Sequence, residues 1–220
     1  RIHIASDRCP AVIVGVDIDG AADEATAPGV ITVGGNTLLT TININAGAGG
    51  ANEAGTALTA TFGDASSDTF DVTGMALTSG AANAADKAGG AVTVTVTAAA
   101  TIGTGNLALQ GGVGADNAVG GAVTATFSNG LTSTGTIQVT AGNTSTGAGG
   151  DATLNLDGTV SSSTTLTLDG GTGTNDIALV TISGDATFSA IVLDENTGAG
   201  NADLTIDGSA AVVECAVRLK

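Results

Sequence analysis

Three neighbouring stretches of the chain carry one alternating pattern: Gly90-Ala91-Val92-Thr93-Val94-Thr95-Val96, Gly121-Ala122-Val123-Thr124-Ala125-Thr126-Phe127 and Asp151-Ala152-Thr153-Leu154-Asn155-Leu156. A side-chain period of two puts Val92, Val94 and Val96 on one face and Thr93, Thr95 and Thr97 on the other. That is a half-buried strand, and an amphipathic helix is excluded.

The pattern belongs to a unit that recurs seven times, beginning near Pro28, Gly55, Gly90, Gly121, Asp151, Ile177 and Ala202. Each unit has an apolar-Thr run, a turn, a second run and a Gly-rich tail, with a period of about 25 to 35 residues. The sequence predicts an all-β fold, an irregular β-solenoid or β-helix of about seven two-strand units joined by Gly-rich loops. A lone unit buries too little to fold, because ordering each backbone residue costs about 1–2 kcal/mol and a buried Val or Leu returns only about 1.5–3; stacking must supply the rest.

Strand ends are marked by Asp-Gly, as in Leu166-Thr167-Leu168-Asp169-Gly170, Leu204-Thr205-Ile206-Asp207-Gly208, Leu154-Asn155-Leu156-Asp157-Gly158 and Val16-Asp17-Ile18-Asp19-Gly20. Asp bonds its own backbone and Gly accepts positive φ, so these are corners. Ser128-Asn129-Gly130-Leu131 is the strongest hairpin signal in the chain, and it supports the alternative fold, a β-sandwich of hairpins. The solenoid stands ahead, since turns such as 63–68 and 159–163 lack the two-residue hairpin form.

Aromatic residues are 2% of the chain, with four Phe and neither Trp nor Tyr, against 35 Gly. Small inward residues suit a thin core. Charged residues are only 12% and strands rich in Val and Thr recur, which argues against disorder of the whole. The net charge of −16, with five Lys and Arg against 21 acids, opposes nucleic acid and anionic lipid as partners and favours cations. No run of about 20 apolar residues is present, so membrane insertion is not expected.

Residues 1–27 form a separate N-terminal segment ahead of a repeat domain spanning 28–220. Its strand candidate, Ala11 to Ile18, lies between Pro10 and Pro28, which lack a backbone donor and mark breaks in pairing. Val12, Val14, Val16 and Ile18 are the residues of a strand that either caps the array or pairs with another subunit. The two cysteines, Cys9 and Cys215, lie near opposite ends. In an oxidising compartment they close a loop within one subunit or link one subunit to the next; otherwise they pack as small free thiols.

Gly111-Gly112-Val113-Gly114-Ala115-Asp116-Asn117-Ala118-Val119 approximates the nonapeptide of calcium-binding β-rolls, and Gly170 to Ile177 is a shifted near-match. In such rolls adjacent copies share each ion, and these two lie far apart, so a ladder of sites is excluded. An isolated calcium remains conceivable where oxygens converge, with Asp116, Asn117, Asp176, Asp194, Glu195 and Asp203 as the candidate ligands. Catalysis is not expected: His3 is the only imidazole, and no Cys and His set exists for a transition metal. Asp clusters on β-helices can cleave polysaccharide, but without Trp or Tyr little here stacks on a sugar. Outward rows such as Thr93-Thr95-Thr97 and Thr124-Thr126 invite comparison with ice-binding solenoids, although exposed Thr is also what any solvated strand prefers.

Residues 28–220, with their Gly-Gly-Ala-Val-Thr starts at Gly89 and Gly120 and their Leu-Thr-Leu-Asp-Gly corners, resemble the β-strand-repeat surface proteins of bacteria and archaea: haemagglutinin-like adhesins, autotransporter passengers and surface-layer proteins. The resemblance is compositional. It implies an extracellular, non-enzymatic protein of the cell surface, a self-assembling structural subunit of a filament or surface layer. The alternative is an adhesin module that presents loops such as 48–55 and 142–150 to a receptor or glycan.

Overall fold

A computed structural model describes residues 2–5, 11–13, 16–19, 29–194 and 200–218, with side chains for 29–194 and 200–211. The described chain is all β. One face is built from β1 (Ile2–Ala5), β4 (Gly29–Gly34), β6 (Leu58–Phe62), β8 (Val92–Val96), β11 (Val123–Phe127), β14 (Ala152–Leu156), β17 (Ile177–Ile182) and β19 (Asn201–Ile206), paired in that order. A second sheet bends around the remaining two sides. It holds β2 (Ala11–Ile13), β3 (Val16–Asp19), β5 (Thr37–Asn45), β7 (Thr69–Thr78), β9 (Ala99–Ile102), β10 (Leu107–Gln110), β12 (Leu131–Ser133), β13 (Ile137–Thr140), β15 (Val160–Ser162), β16 (Thr165–Asp169), β18 (Ala186–Asp194) and β20 (Ala210–Arg218).

Each strand pairs in parallel with the equivalent strand one turn on, as β8 does with β6 and β11. The fold is therefore a β-solenoid of about six turns, and the repeats are its turns. The second strand of each predicted unit is a single bent strand in β5, β7 and β18. In the central turns it is divided in two: the first half of β7 pairs β9 and its second half pairs β10. Asn129-Gly130 does not close a hairpin. Among the described residues strand β11 pairs with β8 and β14 alone, and Gly130, at φ 86°, turns the chain from one solenoid face to the next. Gly158, at φ 84°, makes the same corner one turn later, so the Asn-Gly signal is corner chemistry that two-residue hairpins happen to share.

The alternation read from the sequence fixes the inward columns. Val33, Phe62, Val96, Phe127, Leu156 and Ile182 lie in register, beside the column Ile31, Ala60, Val94, Ala125, Leu154 and Val180. All these side chains are buried. Volume is balanced within each strand: the two that carry Phe, at Phe62 and Phe127, carry Ala two positions earlier, at Ala60 and Ala125. Such compensation is what a close-packed interior requires. Composition predicts a thin core, yet all four Phe are in it, and Phe62 meets Phe70 across the turn at a ring-centroid distance of 4.5 Å.

Turn length varies from 34 residues (Ala60 to Val94) to 24 (Val180 to Leu204). The variation falls in the Gly-rich tails, which are not loose. Loops 81–89, 113–120 and 143–149 stack into a side lobe joined to the main core through a neck of glycines. A backbone chain of hydrogen bonds runs along this neck: Gly80 donates to Thr56, Gly90 to Gly80, Gly112 to Gly90, Gly121 to Gly112, Gly142 to Gly121, Gly150 to Gly142 and Gly171 to Gly150, each at 2.8–3.0 Å. Ser79 is buried there, with its hydroxyl donating to Gly90 O (2.5 Å) and accepting from Gly112 N (2.8 Å). The two strands of backbone approach so closely that a Cβ on Gly121 would lie 1.8 Å from Gly90 O. Only glycine fits.

Candidate functional site

Three surfaces of the solenoid are set up by this architecture: the lobe, the acidic turn between β6 and β7, and the outermost strands of the array among the described residues.

On the lobe, Asp86 and Asn117 occupy left-handed conformations, at φ 59° and 63°, as do Asn52 and Asn175 in the loops to either side of it, at φ 71° and 61°. Asn and Asp tolerate that region better than other non-glycine residues. Asn117 and Thr146 bind each other one turn apart: the Asn117 amide donates to Thr146 Oγ1 (3.0 Å), which donates to Asn117 Oδ1 (3.1 Å). Asp116 Oδ1 accepts from the Ser145 hydroxyl, and Asn143 Oδ1 accepts from the Thr172 amide at 2.9 Å. The lobe is thus laced together by side chains from successive turns. Val113 and Val119 stand out of it, 47% and 50% exposed.

The candidate calcium ligands do not converge. Asp116 and Asn117 are exposed on the lobe and bonded as described. Asp176 is fully buried at the neck, its Cβ lying where a Cβ on Gly149 would be 2.9 Å away. Asp194 ends β18, in register with Asp169, and its carbonyl accepts from Gly170 N at 2.9 Å. Asp203 is exposed on β19 beside Leu179, and Glu195 lies outside the described residues. Among the described residues no three His, Cys, Asp or Glu side chains are grouped to hold a metal ion.

One acidic turn has a perturbed titration. The Asp68 carboxylate accepts from the Ala65 amide (2.9 Å) and the Asp64 amide (3.2 Å). The Ala65 bond first, then a hydrogen bond with the Asp64 carboxyl and the Asp64 amide, hold its pKa below the usual aspartate value.

Strands β2 and β3 continue the array on the edge of β5. Val12 is in register with Leu38, which is 46% exposed, and Val16 and Ile18 with the buried Ile42 and Ile44. Val14 and Cys9 lie outside the described residues; Cys215 sits in β20 in register with Ile191. At the opposite end, β19 is the outermost strand of its sheet among the described residues, and its inward residues Ala202, Leu204 and Ile206 are only partly covered.

The direction in which the outer backbone groups of β19 point follows from the turns before it. Inward residues donate their amides to the following turn: Leu58 to Ala91, Val92 to Ala122, Val123 to Asp151. On β19 the alternate residues are already used, since Asn201 N donates to Asp176 O. The amides of Ala202, Leu204 and Ile206 therefore face outward along the edge, where another parallel strand would receive them.

The fold defines a parallel β-solenoid with a stacked side lobe. Comparison with protein-family profiles, with curated proteins and with solved structures finds no match.

Proposed function

We propose that the chain is a non-enzymatic structural subunit of an extracellular filament or surface layer that self-assembles by β-edge pairing. The observation that supports this reading is the parallel register repeated by every turn: among the described residues β19 and β20 are outermost on one side and β1, β2 and β3 on the other, and each pairs in the register of the internal turns. A second copy meeting β19 repeats a contact the solenoid already makes along its length. The contact is head-to-tail and so propagates.

Cys9 and Cys215 suit the same geometry. Strand β20 and strand β2, which begins two residues after Cys9, are seven strand steps apart in the sheet, about 34 Å at the usual inter-strand spacing. A disulfide spans at most about 7 Å between Cα atoms, so the bond we propose joins neighbouring subunits.

Electron microscopy of the purified chain tests the reading. Filaments or sheets are expected; dispersed monomers at high concentration, with and without calcium, overturn it. A second reading, an adhesin module, is favoured by the exposed Val113 and Val119 on the lobe. It predicts a stable monomer whose binding to a receptor or glycan is lost when loops 48–55 or 142–150 are exchanged.

A further inference from the structure

The outer side of the first face holds a regular array that neither reading uses. Strands β6, β8, β11 and β14 each present two outward residues, Thr59 and Thr61, Thr93 and Thr95, Thr124 and Thr126, Thr153 and Asn155. The pairings place them in two straight rows, Thr59-Thr93-Thr124-Thr153 and Thr61-Thr95-Thr126-Asn155. The second row runs on through Thr32 before it and Thr181 and Thr205 after it.

Sequence alone does not separate these threonines from ordinary strand surface; the register does. Neighbouring strands in a sheet are about 4.8 Å apart and alternate residues of one strand about 6.6 Å apart, so hydroxyls and methyls repeat on a two-dimensional lattice. The spacing between strands lies close to the shorter oxygen repeat on the prism face of hexagonal ice, and the spacing along a strand falls somewhat short of the longer one. The array carries no charge over these four strands although the subunit's net charge is −16. No hydrogen bond among the described residues engages the seven threonine hydroxyls of the four strands, whereas Thr144, Thr146 and Thr164 are spent on neighbouring turns.

Thr is stiff at χ1, and in-register stacking holds each copy beside an identical one, so the groups are ordered before anything binds. The outer side of the second sheet lacks the arrangement. There β9, β12 and β15 are so short that a single row remains, Thr101-Thr132-Ser161, and the two rows beyond it are mixed, Asn43-Ala76-Ala108-Gln138-Thr167 and Asn45-Thr78-Gln110-Thr140-Asp169.

We infer that this face binds crystalline water, the threonine hydroxyls and methyls holding surface water in ice-like positions. The site lies on the flank of the solenoid and is independent of end-to-end assembly. Nanolitre osmometry of the purified full chain tests it. Growth of faceted ice crystals is expected, with a gap between melting and freezing points that widens with protein concentration. The pair Thr95→Lys and Thr126→Lys should abolish the gap, and Thr93→Lys alone should diminish it, with circular dichroism unchanged. The pair Thr101→Lys and Thr132→Lys on the second sheet should retain it.

Unshaped discs without a gap, from folded protein at millimolar concentration, overturn the inference. So does equal loss from both pairs of variants. Sedimentation showing a dimer that Thr95→Lys and Thr126→Lys dissociate would instead assign the face to a second copy, and that too overturns it.

Discussion

Replacing Gly121 by Ala should cost far more than a single methyl group suggests. The added Cβ would sit 1.8 Å from Gly90 O and 2.8 Å from Gly112 N, both backbone atoms with no flexible end to yield. Restoring an ordinary contact requires the two backbones to part by roughly 1.5 Å, which breaks bonds that are near 2.8 Å at the start. Two are at stake, Gly121 N to Gly112 O and Gly142 N to Gly121 O. Each orphaned buried group costs about 1–3 kcal/mol, and overpacking adds about 1–3. A loss of about 4 kcal/mol is expected, which in a chain of this size lowers Tm by roughly 8–16 °C.

Gly34→Ala is the matched control. There the new Cβ meets the Asp64 carboxylate at 3.1 Å, the end of a side chain that can turn away. The expected change is within about 1 kcal/mol, since a less flexible unfolded chain offsets part of any strain. Thermal unfolding followed by far-ultraviolet circular dichroism reads both variants. Equal shifts, or a change of less than about 2 °C for Gly121→Ala, would refute a neck closed by direct backbone contact.

Leu154→Ala, at a fully buried column position, should cost about 2–5 kcal/mol in urea unfolding. Ala202→Pro removes an outward amide while leaving the bonds to β17 in place, so assembly should fall in sedimentation experiments while the circular dichroism of the monomer stays unchanged. Because each subunit carries a net charge of −16, assembly should strengthen as salt is raised from about 0.01 to 0.15 M and the screening length shortens from about 30 to 8 Å. Asp68 should titrate below the usual aspartate range in a carbon-detected NMR series. Its folded pKa is depressed, so the turn's contribution to stability is present above the unfolded pKa and lost as pH falls through the folded one; a midpoint at or above the usual value would contradict the bonding described.

Strand positions and inward faces were legible because burial on one side of a strand writes a period of two directly into the chain, as at Val92-Thr93-Val94. The corner at Asp157-Gly158 was legible for a similar local reason, whereas Gly170 and Gly208 follow their aspartates without positive φ. Asn129-Gly130 shows the limit: its turn chemistry fits a hairpin or a solenoid corner equally, and only the long-range pairing of β11 with β8 and β14 decides.

The neck was hidden for a different reason. Gly80, Gly90, Gly112 and Gly121 look like flexible linkers, and nothing local reveals that each is small because another backbone lies against it. Register was only partly legible: aligning the starts at Gly90 and Gly121 gives Val92 opposite Val123, whereas the start at Asp151 is offset by one residue, Ala152 pairing with Val123. Two threonines on one strand are ordinary, and their alignment with residues 31 and 29 positions away, Thr95 with Thr126 and Thr126 with Asn155, exists only once the turns are stacked.

That stacking is best tested by amide-to-amide nuclear Overhauser contacts in isotopically labelled protein. Parallel turns place Thr95 beside Thr126 and Thr126 beside Asn155, and cross-peaks linking residues 31 and 29 apart along both rows are expected. Strong Hα-to-Hα contacts between 123–127 and 131–133, the mark of an antiparallel hairpin closed at Asn129-Gly130, would contradict the solenoid.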